Sequence, residues 1–191
     1  MALRPLQHPH PPFWYGSSNQ IGAAWAGEHG MHFAANGPTA LAKGNIAAFR
    51  EALAKGPGPA VPKPEFPGAV AIGLLRHIVV AETDAEARRI AKPNIEYHSA
   101  SLNYLRRTQP STLADSRANV HRGTTFEEWE ADGMAIAGSP ATVLAALERQ
   151  AAQLGINYLL SYLFFGTMTL GQALRSLELF RAEVMPRLAD L

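Results

Sequence analysis

The sequence predicts an α/β fold with parallel strands, and three observations carry that expectation. Short apolar or aromatic segments alternate with longer segments of helical period, the pattern that builds βαβ crossovers. Glycine and proline punctuate the junctions, as at Gly16, Gly30, Gly56-Pro57-Gly58-Pro59, Gly155 and Gly166. Within Ala69–Ala81 one stretch is apolar almost throughout, which suits a strand covered on both faces. An open doubly wound sheet and part of a (β/α)8 barrel both fit this order. A full barrel takes ~250 residues, so the 191 residues here, with about four strand–helix units in view, read as half of one.

The elements follow in order. Pro9 to Pro12 form an extended lead-in, because proline favours polyproline II geometry. Phe13-Trp14-Tyr15 is a short strand, ended by Gly16. Ser17 to Gln20 has capping-box spacing, and Ile21, Ala24 and Trp25 supply an apolar helical stripe. Met31–Ala35 is the second strand. Asn36-Gly37-Pro38 opens a second helix with Leu41, Ile46, Phe49 and Leu53 as its buried candidates. The third strand lies within Ala69–Ala81, and Thr83 with Glu86 caps a helix reaching about Arg106, with Pro93 as a point of kinking.

Residues 108–138 are polar and glycine-rich, with one short helix around Phe126–Glu130; a loop of that length reads as an active-site insertion or a mobile excursion. There Trp129, flanked by Glu127, Glu128 and Glu130, reads as part of a solvated helix face. Ser139-Pro140 then starts a helix striped by Val143, Leu144, Leu147, Ala151 and Leu154. Ile156–Phe165 is the last strand. Thr169 with Gln172 boxes the start of a closing helix whose packed face holds Ala173, Leu177, Phe180 and Val184.

Composition narrows the function classes. With 47% hydrophobic and 17% charged residues the chain is globular rather than disordered. Lys plus Arg number 17 and Asp plus Glu 16, so no basic footprint for nucleic acid stands out. There is no cysteine, which excludes disulfides, thiolate metal sites and cysteine nucleophiles and leaves the cytoplasm as the expected compartment. The most apolar runs, Ala69–Leu75 and Ile156–Phe165, fall well short of a membrane span. Prolines interrupt the N-terminal stretch where a signal peptide needs an unbroken apolar run.

The most informative local feature is Tyr15-Gly16-Ser17-Ser18. A strand end running through a Gly-Ser turn into a helix presents backbone N–H groups and hydroxyls together, which suits a phosphate. An ordinary N-cap requires the same residues. Neither a P-loop nor a GxGxxG fingerprint is present. Among the seven histidines, His8 and His10 sit in a proline-rich lead-in without an acidic partner. His77 lies inside a strand as a packed or hydrogen-bonded residue, and His32 faces either a ligand or the core. Arg76, a charge inside an apolar strand, reaches a ligand phosphate or pairs with a neighbouring acid. Ser161, Tyr162, Phe164 and Phe165 fall near the carboxyl end of the last strand, where α/β folds carry their sites. Aromatic rings there flank a flat ligand, although packing is the better reading for Phe164.

Several passages resemble the bacterial luciferase-like flavin monooxygenases. His8-Pro9-His10-Pro11-Pro12-Phe13-Trp14-Tyr15-Gly16-Ser17-Ser18 is similar to the family's PHPPIW–GGSS passage. Ala26–Gly30, Val79–Ala87, Ala137–Val143 and Gly166–Met168 with Ser176–Pro186 follow in the family's order and cover nearly the whole chain. The resemblance implies a TIM-barrel fold, and it is confined to the C-terminal half of the family's chain, making residues 1–191 a single half-barrel domain. It implies reduced FMN, supplied by a separate flavin reductase, and oxidation of an organic substrate with O2; some relatives use a deazaflavin coenzyme instead. It carries the flavin-phosphate role to Gly16, Ser17 and Ser18, with Tyr15 in the same cofactor-binding segment, and it names no catalytic residue. Two further expectations follow from half a barrel: either self-association or docking to a complementing half-barrel polypeptide, and the alternative of a catalytically incomplete accessory subunit or remnant that keeps the phosphate pocket.

Overall fold

The computed structural model describes residues 6–108 and 124–188. Those residues fall into two compact units. The first comprises the described chain up to Asn36, then Ala40–Leu74 and Leu154–Leu160; the second comprises Gly37–Thr39, Leu75–Gln153 and the chain from Ser161 onward.

In the first unit, β1 (Trp14–Ser17) pairs in parallel with β2 (His32–Ala35), and β2 pairs in parallel with the start of β3 (Ile72–Val80). The register sets Trp14 opposite His32 and Ser17 opposite Ala35. The fifth strand, β5 (Tyr158–Tyr162), pairs with β3. Asn157 fixes the join: its carboxamide oxygen accepts from the Ile72 N–H at 2.7 Å and its amide donates to the Val70 carbonyl at 2.9 Å. Side chains alternate across the strands, so Phe33, Ala35, Ile72 and Leu74 form one apolar layer with Ala23 and Ala26 of α1 (Gln20–Glu28) and with Ala42, Ile46 and Phe49 of α2 (Thr39–Lys55). Phe33 stacks on Phe49 with centroids 4.9 Å apart. The two helices approach through Gly27: a Cβ there would lie 2.4 Å from the Phe49 carbonyl oxygen.

That close approach reverses one expectation. α1 buries its small residues, Ala23, Ala26 and Gly27, while Ile21 and Trp25 are exposed. Small side chains let the helix sit deep, and the large ones fall on its outer flank. Leu41 is likewise exposed rather than packed, whereas Ile46 and Phe49 are buried as the spacing predicts.

In the second unit the remainder of β3 pairs in parallel with β4 (Ala135–Gly138), His77 opposite Ala135 and Val80 opposite Gly138. The sequence predicts no strand over β4, which falls inside the polar, glycine-rich segment 108–138; of that segment, residues 109–123 lie outside the described residues. β3 is covered on both faces, as its apolar run predicts. On one face His77 and Val79 meet α3 (Asp84–Thr108), α4 (Phe126–Ala131) and Phe165. Trp129 is buried there with its ring edge-on to His77 at 5.0 Å, so the solvated-face reading fails for it, while Glu127 and Glu130 do pair outward with Lys92 and Arg88. Phe164 is exposed, contrary to its expected packing, and Phe165 is buried.

On the other face Arg76 meets α5 (Pro140–Leu154). Its Nε donates to Gln150 Oε1 at 2.7 Å, and its terminal nitrogens donate to the carbonyls of Leu75 and Gly37 and to the Thr39 hydroxyl. Gln150 in turn donates to the Gly133 carbonyl. Arg76 is fully buried, and burial pulls its pKa down to about 10, still charged at neutral pH. All of these acceptors are neutral, so neither the expected acid nor a phosphate contact accounts for Arg76; it ties the segment after β2 to β3 and α5.

The chain closes with α6 (Leu170–Leu179), a π-helical turn over Phe180–Val184 and α7 (Met185–Leu188). Thr169 and Gln172 form the expected capping box, and Ala173, Phe180 and Val184 are buried as expected, whereas Leu177 is exposed. No helix among the described residues is long and apolar enough to cross a membrane.

Replacing Arg76 with Met should leave Gln150 Oε1 and the Gly37 carbonyl without donors, at about 1–3 kcal/mol each. Chemical denaturation of the two proteins checks this, and an unchanged midpoint would show that Arg76 is not the tie described.

Candidate functional site

The candidate site lies where β1 hands over to α1. Tyr15 is half-buried with its ring 5.2 Å from Trp25, and Gly16 is exposed with no atom within 4 Å of the position a Cβ would take. Ser17 is the last residue of β1 and is buried. Its hydroxyl donates to the Asn19 carbonyl at 3.0 Å and accepts from the Asn19 N–H at 3.1 Å. Ser17 therefore does not cap the helix, as its spacing to Gln20 suggested. Asn19 is the N-cap, its Oδ1 accepting from the Gly22 N–H at 2.9 Å.

This division of labour sorts the four predicted residues. The Ser17 hydroxyl is spent on holding the turn, and its carbonyl accepts from the Asn36 N–H after β2 at 3.2 Å. Ser18, half-buried between strand and helix, has a hydroxyl that makes no hydrogen bond among the described residues. The first N–H groups of a helix have no acceptor within it. Asn19 meets those of Gly22 and Ala23, which leaves Gln20 and Ile21 as donors at the same place. A hydroxyl, two amide donors and the positive end of a helix dipole form a donor set that fits a monoanionic or dianionic phosphate ester.

Gly22 completes the geometry and was not singled out from the sequence. A Cβ at that position would stand 2.7 Å from Ser17 Oγ and 3.2 Å from Tyr15 Cε1, so only glycine lets the first turn of α1 close over the end of β1. The run Gly22-Ala23-Ala24 was the available signal. Gly22→Ala should shift Ser17 and cost about 1–3 kcal/mol, the usual range for overpacking; equal thermal stability of the two proteins would contradict this.

The other candidates are structural. His32 is buried, in the core rather than at a ligand: its Nδ1 accepts from the Ala71 N–H at 3.1 Å and Trp14 packs 5.1 Å away. Burial, and then the Lys63 ammonium, hold its pKa below the ordinary 6.5, against the opposing pull of the Val61 carbonyl. His77 and His98 face each other at 3.2 Å between Nε2 atoms, with Tyr162 stacked on His77 at 4.7 Å. His10 Nδ1 lies 2.8 Å from the Pro11 carbonyl and its ring stacks on Phe13. At the carboxyl ends of β3 and β4, Asp84 accepts from the Ser139 N–H at 2.7 Å. That bond, with the Thr142 and Ser139 hydroxyls, holds its carboxyl below the usual range.

Because His32 binds protons less readily folded than unfolded, stability is full above 6.5 and falls as the pH drops through that value toward the folded pKa. His32→Asn, which keeps an acceptor but cannot take the charge, should flatten this slope in melting experiments; an unaltered slope would assign it to another group.

Comparison with known proteins agrees with this architecture. The profile of the family described as luciferase-like monooxygenase matches residues 1–158. An uncharacterized protein of Sinorhizobium fredii, y4wF, is 29% identical over 189 residues, covering 98% of this chain and 52% of its own length. The oxygenating constituent of 3,6-diketocamphane monooxygenase from Pseudomonas putida, a type II Baeyer-Villiger monooxygenase solved with FMN, superposes with a TM-score of 0.65 at 18% identity, over 93% of this chain and 49% of that one. The coenzyme F420 dependent tetrahydromethanopterin reductase of Methanopyrus kandleri gives 0.59 at 14% identity, over 93% and 51%. The chain thus spans about half the length of the curated relative it matches. Its parallel α/β arrangement is that of half of the relatives' (β/α)8 barrel, and the chain belongs to the luciferase-like monooxygenase family.

Proposed function

We propose that this chain carries the coenzyme-phosphate half of a luciferase-like flavin monooxygenase that uses reduced FMN and O2 to oxidise an organic substrate. The observation that carries this reading is the turn after β1, where the Ser18 hydroxyl and the Gln20 and Ile21 amides remain free for an anion beside Gly16. When bound, the reduced flavin would supply the electrons for oxygen chemistry. The work of this chain is to hold the phosphate: Ser18 and the two amides donate to it, Ser17 keeps the turn closed through Asn19, and Gly22 admits the helix to within reach. A separate reductase would deliver the reduced flavin, and the cytoplasm is the matching compartment.

A deazaflavin coenzyme has the same anionic requirement, and the likeness to an F420-dependent reductase keeps that coenzyme as the alternative. A second reading is a catalytically incomplete accessory subunit or remnant that keeps the phosphate pocket. Both readings predict phosphate binding, and they part at turnover.

Anaerobic titration with reduced FMN and with reduced riboflavin, which lacks the phosphate, tests the proposal. FMN should bind more tightly than riboflavin, and Ser18→Ala should cost FMN alone about 1–3 kcal/mol. Equal affinity for the two flavins, or an indifferent Ser18→Ala protein that remains folded, would contradict the phosphate assignment. Admission of O2 and an organic substrate then separates the enzyme from the remnant.

A further inference from the structure

Asn36 follows the last residue of β2 and precedes Gly37, the one Asn-Gly pair in the sequence. The backbone nitrogen of the residue after an asparagine is placed to attack the side-chain amide, because a five-membered ring results. A side chain on that next residue screens the nitrogen, and glycine has none. Folding suppresses the reaction in a second way, by committing the carboxamide or the attacking N–H to hydrogen bonds.

Here neither group is committed. The Asn36 carboxamide and the Gly37 N–H make no hydrogen bond among the described residues, although the groups on either side do: the Asn36 N–H donates to the Ser17 carbonyl, and the Gly37 carbonyl accepts from Arg76. Gly37 has a φ of +102°, and no atom lies within 4 Å of the position its Cβ would take. Asn36 is half-buried, so water reaches it. The other described asparagines are protected. Asn19, Asn94, Asn103 and Asn157 spend their carboxamides on hydrogen bonds. Asn45 is buried in α2 and precedes Ile46, whose N–H belongs to the helix ladder.

We propose that Asn36 is a self-modification site, converting to an acidic residue without an enzyme. The Gly37 nitrogen bonds to Cγ of Asn36, the Cγ–Nδ2 bond breaks, and ammonia leaves carrying the proton that the Gly37 nitrogen gives up. The product is a cyclic imide. Water opens that ring at either carbonyl and yields aspartate or its β-linked isomer, isoaspartate; nothing is oxidised or reduced. The register gives the change a consequence. Ser17 stands opposite Ala35, so Ser18 and Asn36 occupy the next position along the two strands. A carboxylate there adds negative charge beside the donors that the coenzyme reading assigns to a phosphate. This consequence rests on that reading, whereas the modification does not.

Incubating the full chain in neutral and in mildly alkaline buffer, then mapping its peptides by mass spectrometry, tests the modification. Aspartate and isoaspartate should accumulate at position 36 ahead of the other asparagines named above, and faster at the higher pH because the attacking nitrogen must lose its proton. Asn36→Gln, whose longer side chain disfavours the ring, should stay unconverted. A folded chain that keeps Asn36 intact while the same chain in denaturant converts it would overturn the proposal, as would equal conversion at the hydrogen-bonded asparagines. Titration with reduced FMN reads the consequence. Asn36→Asp should bind FMN roughly tenfold more weakly than the unconverted chain, the scale of like-charge repulsion at a partly exposed site, and should bind riboflavin equally well. Unchanged FMN affinity in Asn36→Asp would overturn the link to the turn. If the unconverted chain itself binds FMN no better than riboflavin, the coenzyme reading fails and the peptide map still decides the modification.

Discussion

Parallel pairing with helical crossovers delivers each strand of a unit and the helix after it to the same edge of the sheet. There the carboxyl end of the strand meets the amino end of the helix, and orphan N–H groups gather. Everything distinctive in the first unit follows from that constraint. Ser17 ends β1, Asn19 caps α1, and the Asn36 N–H after β2 donates to the Ser17 carbonyl, so neighbouring turns brace one another. In the second unit the same geometry brings the end of β4 to the start of α3, and Asp84 accepts from the Ser139 N–H at the start of α5. One amino end is thus neutralised by a carboxylate of the chain, whereas that of α1 keeps its donors.

Packing explains why the first turn has this shape. α1 contains glycine and alanine at the positions that face the sheet and α2, and a Cβ at Gly22 or Gly27 would collide with Ser17 Oγ or with the backbone of α2. Close packing of small residues is what places the helix end over the strand end. The same choice pushes Ile21 and Trp25 outward, where the Trp25 ring packs against Tyr15 and His29.

Much of this was legible in the sequence, and the failures have physical causes. The Thr169–Gln172 box and the Gly56-Pro57 stop depend on neighbours in the chain, and both hold. β3 was readable because a strand of nine residues that is interrupted only by Arg76 and His77 in its apolar run has few alternatives. β4, Ala-Ile-Ala-Gly, is too short for any period, and burial on both faces removes alternation. Ser17 and Asn19 both have capping chemistry two residues apart, and only the length of β1 decides between them. Trp129 sits among glutamates, and its burial against His77 comes from a strand some fifty positions away. The α1 stripe was misjudged because hydrophobicity favours the large side chains and close approach favours the small. Arg76 offered a choice between a phosphate and an acid, and the structure satisfies it with carbonyls, an amide and a hydroxyl instead.

The proposed role of the first turn is to hold an anion on the donors left open between β1 and α1. Backbone amide chemical shifts report on those donors one by one. In a 15N-labelled chain, adding FMN should move the amide signals of Ser18, Gln20 and Ile21, and riboflavin should leave them in place. Signals that shift elsewhere while these three stand still would contradict the account.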